Sequence, residues 1–116
     1  MDLYHVWCNL RPGVSDVEFC ASVESYLGAL RSDGRIESFR IARRKLGLGP
    51  EALGEFHIQI EVRDLAQLDR AFGAVSARTQ PLEGLHAAVN RSVRDLTFAL
   101  YRDFPDAQRR RGEEAF

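Results

Sequence analysis

The residues best able to do chemistry in this chain alternate along two short stretches. "GEFHIQIEV", Gly54 to Val62, sets His57, Gln59 and Glu61 on one side of an extended chain and Phe56, Ile58, Ile60 and Val62 on the other. "LYHVWCNL", Leu3 to Leu10, sets His5, Trp7 and Asn9 against Tyr4, Val6, Cys8 and Leu10. Histidine titrates near neutrality and is the usual general base, so His57 and His5 are candidate catalytic groups, with Glu61 or Tyr101 to orient them or share a proton. Arg40 and Arg44 supply forked cations suited to a carboxylate or enolate oxygen. Trp7 offers a face on which a planar ring can stack. Asn9 and Gln59 add neutral donors and acceptors beside them.

Metal chemistry fits these residues poorly. A strand rises about 3.3 Å per residue, so His57 and Glu61 stand roughly 13 Å apart and cannot share an ion. Gln59 is nearer but is a poor zinc ligand. His5 and His57 meet only if neighbouring strands are in register, and a two-histidine site would need a carboxylate from elsewhere. The expectation is no metal and no cofactor, with both histidines hydrogen-bonded in an interface.

The elements that must position these groups follow from the pattern. After the first strand, Pro12 and Gly13 turn the chain, and Ser15 with Glu18 has capping-box spacing. Phe19, Val23, Tyr26, Leu27 and Leu30 then recur at helical spacing until Asp33 and Gly34. "ESFRIARRKL", Glu37 to Leu46, reads as a second strand with Phe39 and Ile41 opposite Arg40, Ala42 and Arg44, and the Gly- and Pro-rich "GLGLGPEALGE" leads into the third. Asp64 caps a second helix carrying Leu65, Leu68, Phe72 and Val75 on its apolar side. "PLEGLHAAVN" is a shorter amphipathic turn, and "VRDLTFALYR" a last strand in which Leu96, Phe98 and Leu100 alternate with Thr97, Ala99 and Tyr101. The order β-α-β-β-α-β predicts an α+β, ferredoxin-like fold: a four-stranded antiparallel sheet, first and third strands central, helices on one face. The domain runs over 1–104, and 105–116 form a tail with little to bury.

Bulk properties narrow the classes of function. At 116 residues the chain makes one domain, and its 16 basic and 17 acidic side chains nearly cancel, so no net field recruits nucleic acid or an anionic membrane. No apolar run approaches the roughly 20 residues that cross a bilayer. Cys8 and Cys20 sit in apolar patterns without CxxC spacing and suit a reducing cytoplasm. An RNA-recognition domain shares this topology, yet strand three lacks that module's basic and aromatic signature, and Glu61 repels phosphate. "GLGLGP" lacks a phosphate-loop pattern and does not lead from a strand into a helix. The opposed directions in "RIARRK" make it an ion-pairing strand edge instead of a basic stripe.

Taken together, "YHVWCNLRPGVSD", "RRKLGLGPEALGEFHIQIE" and "FALYRDFP" resemble a small uncharacterised bacterial family of the dimeric α/β-barrel superfamily, over about Leu3 to Asp106. The superfamily includes cofactor-independent monooxygenases, lactone isomerases, haem-handling enzymes and members without known activity. The resemblance implies the fold and a homodimer formed through the polar-aromatic sheet face, and it assigns no catalytic residues. Its implied function is binding of a small planar ligand, in a monooxygenase, an isomerase or a non-enzymatic dimeric module. Some superfamily monooxygenases hold their pocket on the helix side. His86, four residues after Leu82, faces that gap; a lone histidine there is more often a hydrogen-bonded core residue than a catalyst. In a helix-side pocket, His86, Asn90 and Tyr26 outrank the strand residues.

Overall fold

The computed structural model describes residues 1–105. The order is β1 (Asp2–Leu10), α1 (Asp16–Ser32), β2 (Ser38–Arg43), β3 (Phe56–Val62), α2 (Leu65–Ser76), α3 (Leu82–Asn90) and β4 (Val93–Arg102). The strands form one antiparallel sheet in the order β2-β3-β1-β4, with β1 and β3 central as expected. The expected tail lies, except for Pro105, outside the described residues.

Local chemistry sets the helix starts. Ser15 Oγ accepts the Glu18 amide at 3.3 Å, one half of the expected capping box, and Asp64 Oδ1 accepts the Gln67 amide at 2.8 Å. Gly34, at φ 70°, takes the left-handed turn that lets the chain leave α1. Phe19, Val23, Leu27 and Leu30 of α1 are buried against Phe56, Ile58, Ile60 and Val62 of β3, with Phe19 edge-on to Phe56 at 5.3 Å between ring centres. Cys8 belongs to this core, where burial pushes its thiol up to about 11, and both cysteines are unpaired.

Four details differ from the sequence reading. β2 ends at Arg43, not Leu46, because Leu46 and Gly47 both turn into the positive-φ region. The short turn after α2 is a nine-residue helix, α3, packed on α1. α2 buries Leu68, Ala71 and Gln67, while Leu65 and Phe72 stay largely exposed. Gln67 tolerates complete burial because its amide is used at both ends: Oε1 accepts the Arg63 amide at 2.7 Å, and Nε2 donates to Gly34 O at 3.0 Å and Glu37 Oε1 at 3.2 Å. The apolar side of β4 is the last difference. The helices do not cover this edge strand, so Leu96, Phe98 and Leu100 are exposed, Phe98 by 55%.

Candidate functional site

Strand register arranges the polar face in rows. Ala42, His57, Trp7 and Thr97 lie side by side across β2, β3, β1 and β4; Arg40, Gln59, His5 and Ala99 make the next row; Ser38, Glu61, Leu3 and Tyr101 the third. His57 reaches diagonally from the first row into the second, where its Nε2 meets His5 Nδ1 at 2.8 Å. Their ring planes differ by 6° with centres 5.0 Å apart, the spacing of two imidazoles joined edge to edge in one plane. Trp7 lies nearly parallel to both, 4.8 Å from His57 and 5.4 Å from His5, and Tyr101 meets His5 edge-on at 5.0 Å. Burial holds both imidazoles below their ordinary pKa, and the charge of His5 lowers His57 further.

The structure thus brings together His5, His57, Trp7 and Tyr101 and keeps the other strand residues apart from them. Glu61 accepts from Ser38 Oγ at 3.0 Å and orients neither histidine. Gln59 sits between Arg40 and His5 in its row, and Arg40 is exposed without an ion pair among the described residues. Asn9 braces the strand end: its Nδ2 donates to Asp95 at 3.1 Å and its Oδ1 accepts the Glu55 amide at 2.9 Å. Arg44 lies just past β2 and donates from Nη2 to the carbonyls of Pro50, at 2.8 Å, and Leu53, at 2.6 Å. No cluster of three or more potential metal-ligating side chains occurs among the described residues.

His86 lies on the other side of the sheet. Because the helices leave β4 uncovered, a cleft of about 220 Å³ opens between α1, α3 and the sheet. Its walls are apolar, with Val6, Ile58, Val89 and Phe98 among them, and no charged side chain among the described residues lines it. Its polar groups are Tyr4, Tyr26, His86 and Asn90. Tyr26 and His86 meet at 5.3 Å between ring centres, and Tyr4 stacks on Phe98 and meets Phe72 edge-on. Burial pushes the Tyr26 hydroxyl up to about 12 and raises that of Tyr4, so both remain protonated donors. Neither hydroxyl and neither His86 nitrogen has a hydrogen-bond partner among the described residues. His86 is therefore no hydrogen-bonded core histidine. Tyr4 had read as simple core, since only the open edge at Phe98 turns its ring into a cleft wall.

A four-stranded antiparallel sheet with helices on one face and this connectivity defines a ferredoxin-like protein. The chain belongs to a family of unknown function, DUF6614, matched over residues 1–116. Solved structures share the fold at low identity. An Arabidopsis thaliana protein, At3g17210, superposes with a TM-score of 0.69 at 10% identity, over 89% of this chain and 95% of its own. A dimeric ferredoxin-like protein of unknown function from Jannaschia sp. CCS1 gives 0.62 at 14% identity, over 89% and 100%. A protein described as an antibiotic biosynthesis monooxygenase gives 0.58 at 16% identity, over 90% and 100%. No curated protein matches the chain in sequence. No helix among the described residues is long and apolar enough to cross a membrane.

Proposed function

We propose that this protein is a homodimer that binds a small, uncharged, planar and largely apolar molecule in the helix-side cleft, and that His86 serves there as a general base. The observation that carries the reading is the set of polar groups lining that cleft without partners among the described residues: the hydroxyls of Tyr4 and Tyr26 and the imidazole of His86. All three side chains are half-buried and line one apolar space, where a ligand that displaces water can take up their hydrogen bonds. At about 30 Å³ per water the cleft has room for about seven water-sized groups, the bulk of one substituted ring. Without a charged wall it favours a neutral molecule.

The chemistry such a site supports begins with proton transfer. His86 takes a proton from a phenol or an activated C–H, and the Tyr26 hydroxyl, held protonated, donates to the resulting oxyanion. Deprotonation is the common first step of an isomerisation and of a cofactor-independent oxygenation, and the monooxygenase among the structural neighbours supports the enzymatic form. Dimerisation is supported by neighbours described as dimeric and by a polar-aromatic sheet face with no helix over it.

2-Naphthol titrated into the protein, with binding read by ligand-observed NMR, tests the cleft. Tyr26→Phe and His86→Ala should each weaken binding about 5- to 10-fold, the worth of one buried hydrogen bond. Wild-type affinity in both variants would remove the ligand from this cleft. Bound ligand recovered unchanged under oxygen would leave a binding module in place of an enzyme.

A further inference from the structure

We propose a second ligand site, on the opposite side of the sheet, that takes a planar anion such as an aromatic carboxylate. It is a groove of about 260 Å³ between the stacked Trp7 and His57 rings and the β2–β3 connection. Ala42, directly across from His57, carries only a methyl group and leaves the space above β2 open.

The wall of the groove is built around one cation. Besides the two bonds from Arg44 Nη2, the Arg44 amide donates to Glu55 O at 2.7 Å, so residues 44–54 fold around the guanidinium. Gly54 brings the end of this loop against the Cys8 backbone, where a Cβ would collide with the Cys8 carbonyl group. Carbonyl oxygens orient the guanidinium without cancelling its charge. Arg44 has no ion pair among the described residues; its Nε is packed against Gly49, and its Nη1 donors make no hydrogen bond among those residues. Glu55, the acid in the groove, is already matched: Arg43 Nε lies 3.1 Å from it, and Arg43 Nη1 lies 2.8 Å from Asp16. One uncompensated cation therefore lines the same groove as the stacked Trp7 and His57 rings.

That pairing fits one kind of ligand. A ring stacks on the Trp7–His57 pair, whose planes lie within 15° of parallel at 4.8 Å between centres, while its carboxylate accepts from Arg44 Nη1. Trp7, which lines the same groove, has an indole N–H without a partner among the described residues. A neutral ring forgoes the charge-assisted bonds. Among the described residues the helix-side cleft offers no charged side chain, so the two sites select different molecules. The groove lies at the hairpin end of the sheet, which places its mouth at the rim of a dimer stacked on this face.

Trp7 is the only tryptophan in the sequence, so tryptophan fluorescence reports on this side of the sheet. Benzoate should quench it along a saturating curve, and benzamide, the neutral isostere, should need at least about 10-fold higher concentration. Arg44→Gln should abolish the benzoate effect. Because that change also loosens the loop, Ala42→Leu is the second variant: it fills the groove without touching the brace and should remove saturable quenching at an unaltered melting temperature. Tyr26→Phe should leave the titration as it is, separating this site from the helix-side cleft. Equal response to benzoate and benzamide, or wild-type benzoate binding in Ala42→Leu, would overturn the proposal.

Discussion

His5 and His57 share one in-plane hydrogen bond, Nδ1 to Nε2 at 2.8 Å, on a sheet face that no helix of the described residues covers. One nitrogen donates and the other accepts, so the bond survives with both rings neutral or one charged, never with both charged. The folded-state pKa of each is lowered, chiefly by burial. A histidine lowered in the folded state binds fewer protons there than in the unfolded chain. Its contribution is therefore complete above about pH 6.5 and is lost as pH falls through that value toward the folded pKa. The melting temperature should drop between pH 7.5 and pH 5. His57→Gln should flatten that dependence and cost about 4 °C at neutral pH, the equivalent of a net hydrogen bond of about 1 kcal/mol. An unchanged pH slope in His57→Gln would detach the pair from stability.

Ala99 lies beside His5 in the second row of the same face, where a small side chain keeps the surface flat. If two copies stack on this face, Ala99→Arg sets a buried cation against its symmetry mate and should shift the protein from dimer to monomer. Sedimentation velocity at micromolar concentration reads this directly. A wild-type monomer would end the dimer reading, and a variant that stays dimeric would move the interface elsewhere.

Gln67 is fully buried with three hydrogen bonds reaching from α2 to the ends of α1 and β3 and to Glu37. Gln67→Leu fills similar space but strands the Arg63 amide and the Gly34 carbonyl. It should destabilise the fold by about 2–4 kcal/mol, seen as a lower urea midpoint with an unchanged slope. A loss under about 0.5 kcal/mol would show water taking over both groups.

Gly54 marks where the hairpin loop comes closest to β1. Gly54→Ala should force the backbones apart and cost about 3 kcal/mol or more, since the obstacle is main chain and not a mobile side-chain tip. Gly28 has open space around its Cα, so Gly28→Ala, in the middle of α1, should be neutral or stabilising by up to about 1 kcal/mol. Urea denaturation of the two variants provides the contrast.

Much of this fold was legible in order and periodicity. Strict alternation in Phe56–Val62 predicts the buried and open sides of β3 residue by residue, because successive side chains on a strand must point to opposite faces. Ser15 and Asp64 mark the helix starts, because a short oxygen-bearing side chain there satisfies a free amide. Membership of the α+β, ferredoxin-like class followed from the order of elements alone. The sites were harder to see. His5 and His57 are 52 residues apart, and which row each occupies depends on register, a property of two strands together. Arg44 shares its strand alternation with Arg40, yet its role comes from a loop that closes around it. Burial of the Gln67 amide depends on partners from three other segments, which helical spacing does not reveal. By itself the sequence determined the elements, their faces and the residues able to do chemistry, since those depend on near neighbours in the chain. Only the tertiary structure decided that Tyr4, Tyr26 and His86 share a cleft, because that cleft exists where the helices stop short of β4, a matter of how far packed layers extend.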